Sequence, residues 1–474
     1  MAPRRPAPAK RMRDTDSTHD AATKRPKKAA SVSKALVPLS RRPTQRLNVY
    51  VVGANSGGEL GLGPDVKSGT VGRSRLNPYL SGSVGVVQVS LGAMHGVALT
   101  ADNQILTWGV NDHGALGRDT SWEGSFVDID AADSHDDDGA RLNPHECVPL
   151  PVDMSLAPAD TEFTQVAATD NATFVLTSTG RVYGWGAFKS EDGNLSFSPA
   201  VSVQSRPALI APIKNVAKIC CGSNHVVALA ADHSVYTWGR GTEGQLGRRH
   251  SPRVASLLKD GLIPQKAAGL KDIVEIGTGA NHSFAIDRAG RVYSWGFNNA
   301  GQTGVISLPE KPIEPDGFDV AIPLPRLVEG LSDLPRIKHI TGGDFHSLAV
   351  TIDGHVFAWG RLCSFATGHR VSGLPPTSVT FDSRGKPSSL VVPTILRDLP
   401  PVSGVSAASE HSLAVTADGE VYTWGLNLTK QIGQRSEEVR DPTMLVHRAI
   451  ADRRIVWVGA GAQFSMFGEA VDSG

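Results

Sequence analysis

The sequence is poor in the features that identify most enzymes. It has only four cysteines in 474 residues, Cys147, Cys220, Cys221 and Cys363, and no Cys-x-x-Cys pair. A disulfide framework or a zinc site is therefore not expected, and no convergent metal-ligating set is seen. There is no apolar run of about 18 residues that would span a membrane as a helix. The N-terminus is charged and rich in Pro and Ala, without the apolar segment of a secretory signal. Aromatics make up 6% of the chain, and helical 3.6-residue periodicity is weak throughout. No Gly-x4-Gly-Lys-Ser/Thr loop is present, so a nucleotide site of the P-loop kind is not expected. Net charge is also missing: 47 Lys+Arg balance 47 Asp+Glu. The balance hides a split. Residues 1–46 hold 13 Lys/Arg and 3 Asp, a charge of +10, and the remainder holds 34 Lys/Arg and 44 Asp/Glu, a charge of −10. A basic arm joined to an acidic body points to polyanion binding or targeting by the arm.

What the chain does have is glycine, 50 residues of it, and self-similarity. One unit reads Gly-x-x-His-x-x-x-aliphatic, at Gly92–Leu99, Gly222–Leu229, Gly279–Ile286 and Gly343–Val350. Ala408–Val415 lacks the glycine; Thr169–Leu176 carries Ala172, and Gly461–Gly468 carries Phe464, in place of the histidine. A second unit ends in Trp-Gly at Gly109, Gly186, Gly239, Gly296, Gly360 and Gly425, with a degenerate copy ending at Gly53. Segments such as Val235-Tyr-Thr-Trp238 are β-branched and aromatic, and pairs such as Asp418-Gly419 supply turns. Repeats of about 50–65 residues built from short strands imply propeller blades. The body opens on an orphan second unit and closes on an orphan first unit. Joined, they complete one blade, which predicts an all-β, seven-bladed β-propeller closed by pairing of N- and C-terminal strands.

The expected organisation is a disordered basic tail over 1–46, the propeller over 47–468 and a short C-terminal tail over 469–474. The repeat histidines read as structural hydrogen-bonding groups and the Trp-Gly pairs as core packing and close backbone approach. Function is expected in the residues that break the repeat. The two residues after each first-unit Gly form tips on one face, among them Asp170-Asn171, Ser223-Asn224 and Asp344-Phe345. After Trp185-Gly186 the usual turn is replaced by a charged hairpin candidate, Phe188, Lys189, Ser190, Glu191, Asp192, Gly193, Asn194 and Leu195. Asp128–Asp138 reads as a solvated acidic loop.

These repeats resemble the regulator of chromosome condensation family over about residues 47–468. The run Asn111-Asp-His-Gly-Ala-Leu-Gly-Arg-Asp-Thr-Ser-Trp-Glu-Gly-Ser125 resembles the stretch found in that family's nuclear exchange factors. The resemblance implies guanine-nucleotide exchange on the small nuclear GTPase Ran, by stabilising the nucleotide-free GTPase, with no cofactor. It implies a nuclear, chromatin-associated monomer with no membrane contact, whose partners are Ran, nucleosomal histones and DNA, and import receptors. Asp170 matches an acidic position that the family uses for exchange. Asn224 stands where the family has Asp, and Phe345, flanked by Asp344 and His346, where it has His; either such neighbours substitute or those contacts are altered. The hairpin Phe188–Leu195 would be the wedge that disturbs the GTPase phosphate site. Lys10, Arg11 and Arg13 with Lys24, Arg25, Lys27 and Lys28 have the spacing of a bipartite import signal, and the tail's charges would also meet DNA phosphates. Arg248, Arg249 and Arg253 are candidate histone contacts. A non-catalytic propeller scaffold for nuclear protein partners is the alternative reading.

Overall fold

The computed structural model describes residues 38–123, 141–190, 192–249, 260–306, 320–332 and 334–471. The expected import signal, the acidic loop Asp128–Asp138, Glu191 and Arg253 lie outside them.

The described residues form seven sheets of four or five antiparallel strands, plus one two-stranded hairpin. Each blade runs from an inner to an outer strand. Blade 2 is made of Val86–Leu91, His95–Thr100, Ile105–Gly109 and Leu150–Pro151. Blades 3 to 7 have inner strands at Phe163–Ala168, Val216–Cys221, Ile273–Thr278, Ile337–Gly342 and Val402–Ala407. Blade 1 combines two strands from each end of the body, in the order Thr70–Leu76, Arg46–Ala54, Phe464–Val471, Ile455–Ala460. Its central pairing runs from Arg46↔Val471 to Gly53↔Phe464. Each inner strand touches that of the next blade, and the inner strand of blade 1 touches those of blades 7 and 2, so the ring is closed. The closing strand reaches Val471, three residues beyond the end expected at 468. The folded unit also begins earlier than expected. Leu39 N donates to Ser178 O at 2.8 Å, and Arg42 Nη1 to Asn103 Oδ1 at 3.1 Å.

The second strand of blades 2 to 7 is buried over its whole length, as in His225–Ala230 and His346–Thr351, because neighbouring blades cover both of its faces. The six Trp-Gly tryptophans, Trp108, Trp185, Trp238, Trp295, Trp359 and Trp424, are at most 1% exposed. They fill the space between blades, as where Phe284 of blade 5 meets Trp359 of blade 6 edge to face at 6.1 Å. Gly109 shows why glycine follows the tryptophan: its φ is +98°, and a Cβ there would sit 2.3 Å from Met94 O.

The repeat histidines bind blade to blade. His95 Nε2 lies 3.0 Å from Thr173 Oγ1; His225, His282 and His346 lie 2.8 Å from Ser283, Ser347 and Ser412; His411 lies 3.3 Å from Ser465. In four of the five, the hydroxyl partner donates onward to a turn carbonyl that also receives an indole N–H. Ala115 O, for example, accepts from Thr173 Oγ1 at 2.9 Å and from Trp185 Nε1 at 2.8 Å. A hydroxyl that donates in this way must accept from the imidazole, which fixes the neutral Nε2–H form in His95, His225, His282 and His346. Burial pushes these imidazoles down to about 3 to 4, so they stay neutral. The exceptions are paired. Where blade 3 has Ala172, blade 4 has Val226 in place of the hydroxyl, and where blade 1 has Phe464, blade 2 has Gly96.

Candidate functional site on the tip face

The turns joining first to second strands form a ring at one end of the propeller. Backbone bonds link them from blade to blade: Asp170 N to Ser223 O at 2.9 Å, Ser223 N to Ala280 O at 2.9 Å, and Ala280 N to Gly343 O at 3.0 Å. This close approach requires the repeat glycine, since a Cβ on Gly92 would lie 2.2 Å from Thr169 O. A second ring surrounds the first. The residue after each Trp-Gly donates its N–H to the tip carbonyl, as in Arg240 N to Asn224 O at 2.7 Å, Phe297 N to Asn281 O at 2.8 Å and Arg361 N to Phe345 O at 2.8 Å. These seven outer positions, Ala54, Val110, Ala187, Arg240, Phe297, Arg361 and Leu426, face the same way as the tips.

The expected hairpin exists. Phe188–Lys189 pairs with Leu195–Ser196, with Phe188 opposite Ser196. Ser190 N donates to Asn194 O at 2.9 Å, and Gly193 at the apex has φ +81° with nothing within 4 Å of its Cβ position. The apex therefore stands clear of the body. Asp192 shapes the turn, accepting from the Ser190 hydroxyl and from Asn194 N. Those bonds hold its carboxyl below the usual range.

The hairpin is fastened at its base by two devices. Phe188 is 3% exposed and stacks on Phe174 at 6.0 Å and Phe197 at 6.3 Å. Its cluster includes Ala172 and Val226, the pair that lacks the imidazole and hydroxyl found between other blades. Removal of that polar contact leaves an apolar seat, and the hairpin's phenylalanine occupies it. The second device is Asn224, 8% exposed, whose Oδ1 accepts from Lys189 N at 2.7 Å. A carboxylate would accept the same bond, so Asn in place of Asp keeps the anchor.

Asp170 stands beside the hairpin. A cavity of about 390 Å³ is lined by Asp170, Asn171, Lys189, Ser190, Asn224 and Arg240, so four of the expected site residues, Asp170, Lys189, Ser190 and Asn224, converge there. Burial raises the Asp170 carboxyl to about 7; Ser223 opposes the rise and the charge of Asp344 adds to it. Asp344 is also raised, by burial and by Glu410, against the opposing effects of Ser409 and Arg361. Phe345 lies under the Arg361 guanidinium at 3.5 Å and 6.4 Å from Phe297. It thus offers an apolar ring capped by a cation where the family resemblance implies a histidine.

Two expectations are corrected. His346 is 1% exposed and bonded to Ser412, so it belongs to the scaffold and does not reach the tip surface. Arg248 is 6% exposed and donates to the carbonyls of Asp260, Gly261 and Ile263 at 3.1–3.3 Å, which ties down its own loop. Arg249 is exposed. Arg240 and Arg361 were not anticipated. Their signal in the sequence is the variable position that follows each Trp-Gly. In the second-blade run, Asn111 bonds to Thr120, and Arg118 to Thr107 O at 2.9 Å, so much of that run builds its own turn.

A family model described as the RCC1-like domain matches residues 48–467. This chain belongs to that family. It is 38% identical to Protein pim1 of Schizosaccharomyces pombe over 93% of this chain and 78% of the relative. It is 35% identical to the Guanine nucleotide exchange factor SRM1 of Saccharomyces cerevisiae, over 90% and 87% of the two chains. Among solved structures it resembles Prp20p of Saccharomyces cerevisiae, studied for its binding to Gsp1p and histones, with a TM-score of 0.80 and 31% identity over 92% and 94% of the two chains. A structure of yeast RCC1 (Prp20) bound to Kap60 has the same TM-score and identity.

Proposed function

We propose that this chain is a guanine-nucleotide exchange factor for a Ran-type GTPase. The observation that carries the reading is the hairpin of residues 188–196, held on a rigid base beside Asp170 and Asn224 and projecting from the tip face. Family membership supports it, since one relative is named a guanine nucleotide exchange factor and another was studied for its binding to Gsp1p.

The reaction requires no covalent chemistry. The tip face grips the GTPase while the hairpin apex, Ser190–Asn194, enters the region that holds the nucleotide phosphates. Tight binding of the propeller and tight binding of the nucleotide then exclude each other, and the coupling is reciprocal. Asp170 and Asp344 meet cationic side chains of the GTPase, and an approaching cation favours their ionised forms. Phe345 with Arg361 supplies an apolar contact on the opposite side of the ring. Asn224 positions the hairpin. Scaffold binding alone would require none of these hairpin anchors.

The wider setting is part of the same proposal. The basic clusters of the tail act as an import signal and contact DNA, Arg249 and Arg253 meet histones, and the protein works in the nucleus on chromatin as a monomer. The test is co-elution. The chain and a purified Ran-type GTPase stripped of nucleotide should form a stable complex that excess GDP or GTP dissociates. A complex indifferent to nucleotide would support a scaffold instead.

A further inference from the structure

The hairpin of residues 188–196 has a counterpart on the far side of the ring. Blade 6 carries a fifth strand, Val379–Phe381, which pairs with its outer strand, Pro387–Ile395. The register fixes where their turn stands. Val356–Arg361 runs toward the tips, so the antiparallel outer strand runs away from them. Ser389 lies opposite Arg361, and Pro387 is two residues farther toward the tip end. At about 3.3 Å per residue, the turn Asp382–Lys386 rises roughly 7 Å or more beyond Arg361. Its backbone repeats that of the first hairpin. Asp382 N donates to Lys386 O at 2.8 Å and Gly385 N to Asp382 O at 2.9 Å, as Ser190 N does to Asn194 O at 2.9 Å and Gly193 N to Ser190 O at 3.0 Å. Asp382 Oδ1 accepts from Arg384 N at 2.9 Å and Lys386 N at 2.8 Å, so the turn is held from within. Turns of the same form at the opposite end of the blades lie against the body. A Cβ on Gly354 would sit 2.9 Å from Pro401 Cβ, and one on Gly419 2.9 Å from Arg454 Cα. Gly385, with φ +73°, has nothing within 4 Å of that position, so this turn stands as clear as the first.

The two turns differ in charge. The first reads Ser190-Glu-Asp-Gly-Asn194 and the second Asp382-Ser-Arg-Gly-Lys386. Arg384 and Lys386 are exposed and have no ion-pair partner among the described residues, and Phe381 at the base is 45% exposed. The Asp382 carboxylate is occupied by the turn's own amides, so the turn presents a net positive charge on an acidic body. Blades 3 and 6 are three blades apart, the widest separation that a ring of seven allows. We propose that Asp382–Lys386 is a second grip on the GTPase, holding an acidic and partly apolar patch of that partner while the hairpin of residues 188–196 reaches the nucleotide; this rests on the exchange reading above. An arginine beside an exposed aromatic is the kind of anchor that interfaces use. Two projections of opposite charge on opposite rims select one orientation of the partner, because the reversed docking sets like charges together. The second grip stands across the ring from Ser190–Asn194, so it is made equally before and after the nucleotide leaves. Such uniform binding lowers KM without raising kcat.

The test is steady-state exchange by the full chain on a Ran-type GTPase loaded with fluorescent GDP, comparing the parent with the triple variant Phe381→Ser, Arg384→Ser, Lys386→Ser. KM for the GTPase should rise about five- to tenfold, with kcat and melting temperature unchanged. Salt should lower kcat/KM more steeply in the parent than in the variant, because the charged grip is screened. Arg384→Glu with Lys386→Glu should raise KM further than the serines do. A control pair at the other end of the same blade, Arg336→Ser with Arg397→Ser, removes exposed charges and should leave KM unchanged. Acceleration by the parent with the same KM in the triple variant, or an equal rise in the control, would overturn the second grip and leave the exchange reading standing. A fall in kcat at constant KM would overturn it as well, by placing the turn in nucleotide release. No acceleration by the parent would overturn both.

Discussion

Replacing Asn224 with alanine removes the acceptor that holds the Lys189 amide at 2.7 Å. The expected loss is about 1 kcal/mol of local order in the hairpin, read as about a fivefold fall in exchange kcat/KM with little change in melting. Asn224→Asp restores an acceptor and should keep exchange. A loss in the aspartate variant equal to that in alanine would show that the anchor is not what matters. Asp170 carries a different prediction. Its carboxyl rises from 3.8 to about 7 in the folded chain. A folded pKa above the unfolded one means that the stabilising contribution is complete below pH 3.8 and is lost as pH rises through about 7. Asp170→Asn should therefore gain stability relative to the parent chain as pH climbs across that window, and lose exchange. Denaturant midpoints at a series of pH values would check the sign. Asp170 was visible in the sequence as a repeat-breaking acid. The stack of Arg361 on Phe345 was not, because it joins a tip to a Trp-Gly neighbour through an approach only the folded blade creates.

Among the elements, the hairpin depends on a seat that the neighbouring blades leave open. Ala172→His would place an imidazole where Phe188 packs, without the hydroxyl that Val226 has replaced. Such overpacking costs about 1–3 kcal/mol, and limited proteolysis should find the hairpin loosened. Replacing the apex Ser190–Asn194 with Gly/Ser touches nothing in the core and should leave melting unchanged. The hairpin was legible because its sequence replaces the usual turn. The reason for its position was legible only in part: the missing histidine at Ala172 was plain, but its link to Val226 needs the blade-to-blade register. Arg248 misled because a guanidinium's direction is not written in the sequence, and here three carbonyls draw it inward.

Across the whole molecule, the seven blades and their closure were legible because orphan units at the two ends complete each other. The boundaries were not: the strap from Pro38 and the extension to Val471 depend on backbone bonds that no motif marks. Five buried histidines link the ring to pH. Each moves from an ordinary 6.5 down to about 3 to 4. The unfolded chain then binds more protons than the folded one, so stability is complete above pH 6.5 and falls as pH drops toward those values. Chemical denaturation at successively lower pH should show this, and a flat profile would mean the imidazoles are not held neutral. The central claim concerns the tip face, and the most direct measurement is release of fluorescent GDP from a Ran-type GTPase with the chain present in trace amount. The account predicts rapid release with many turnovers per propeller, and loss of that acceleration when Ser190–Asn194 becomes Gly/Ser. No acceleration at substoichiometric concentration, or full acceleration without the hairpin apex, would contradict it.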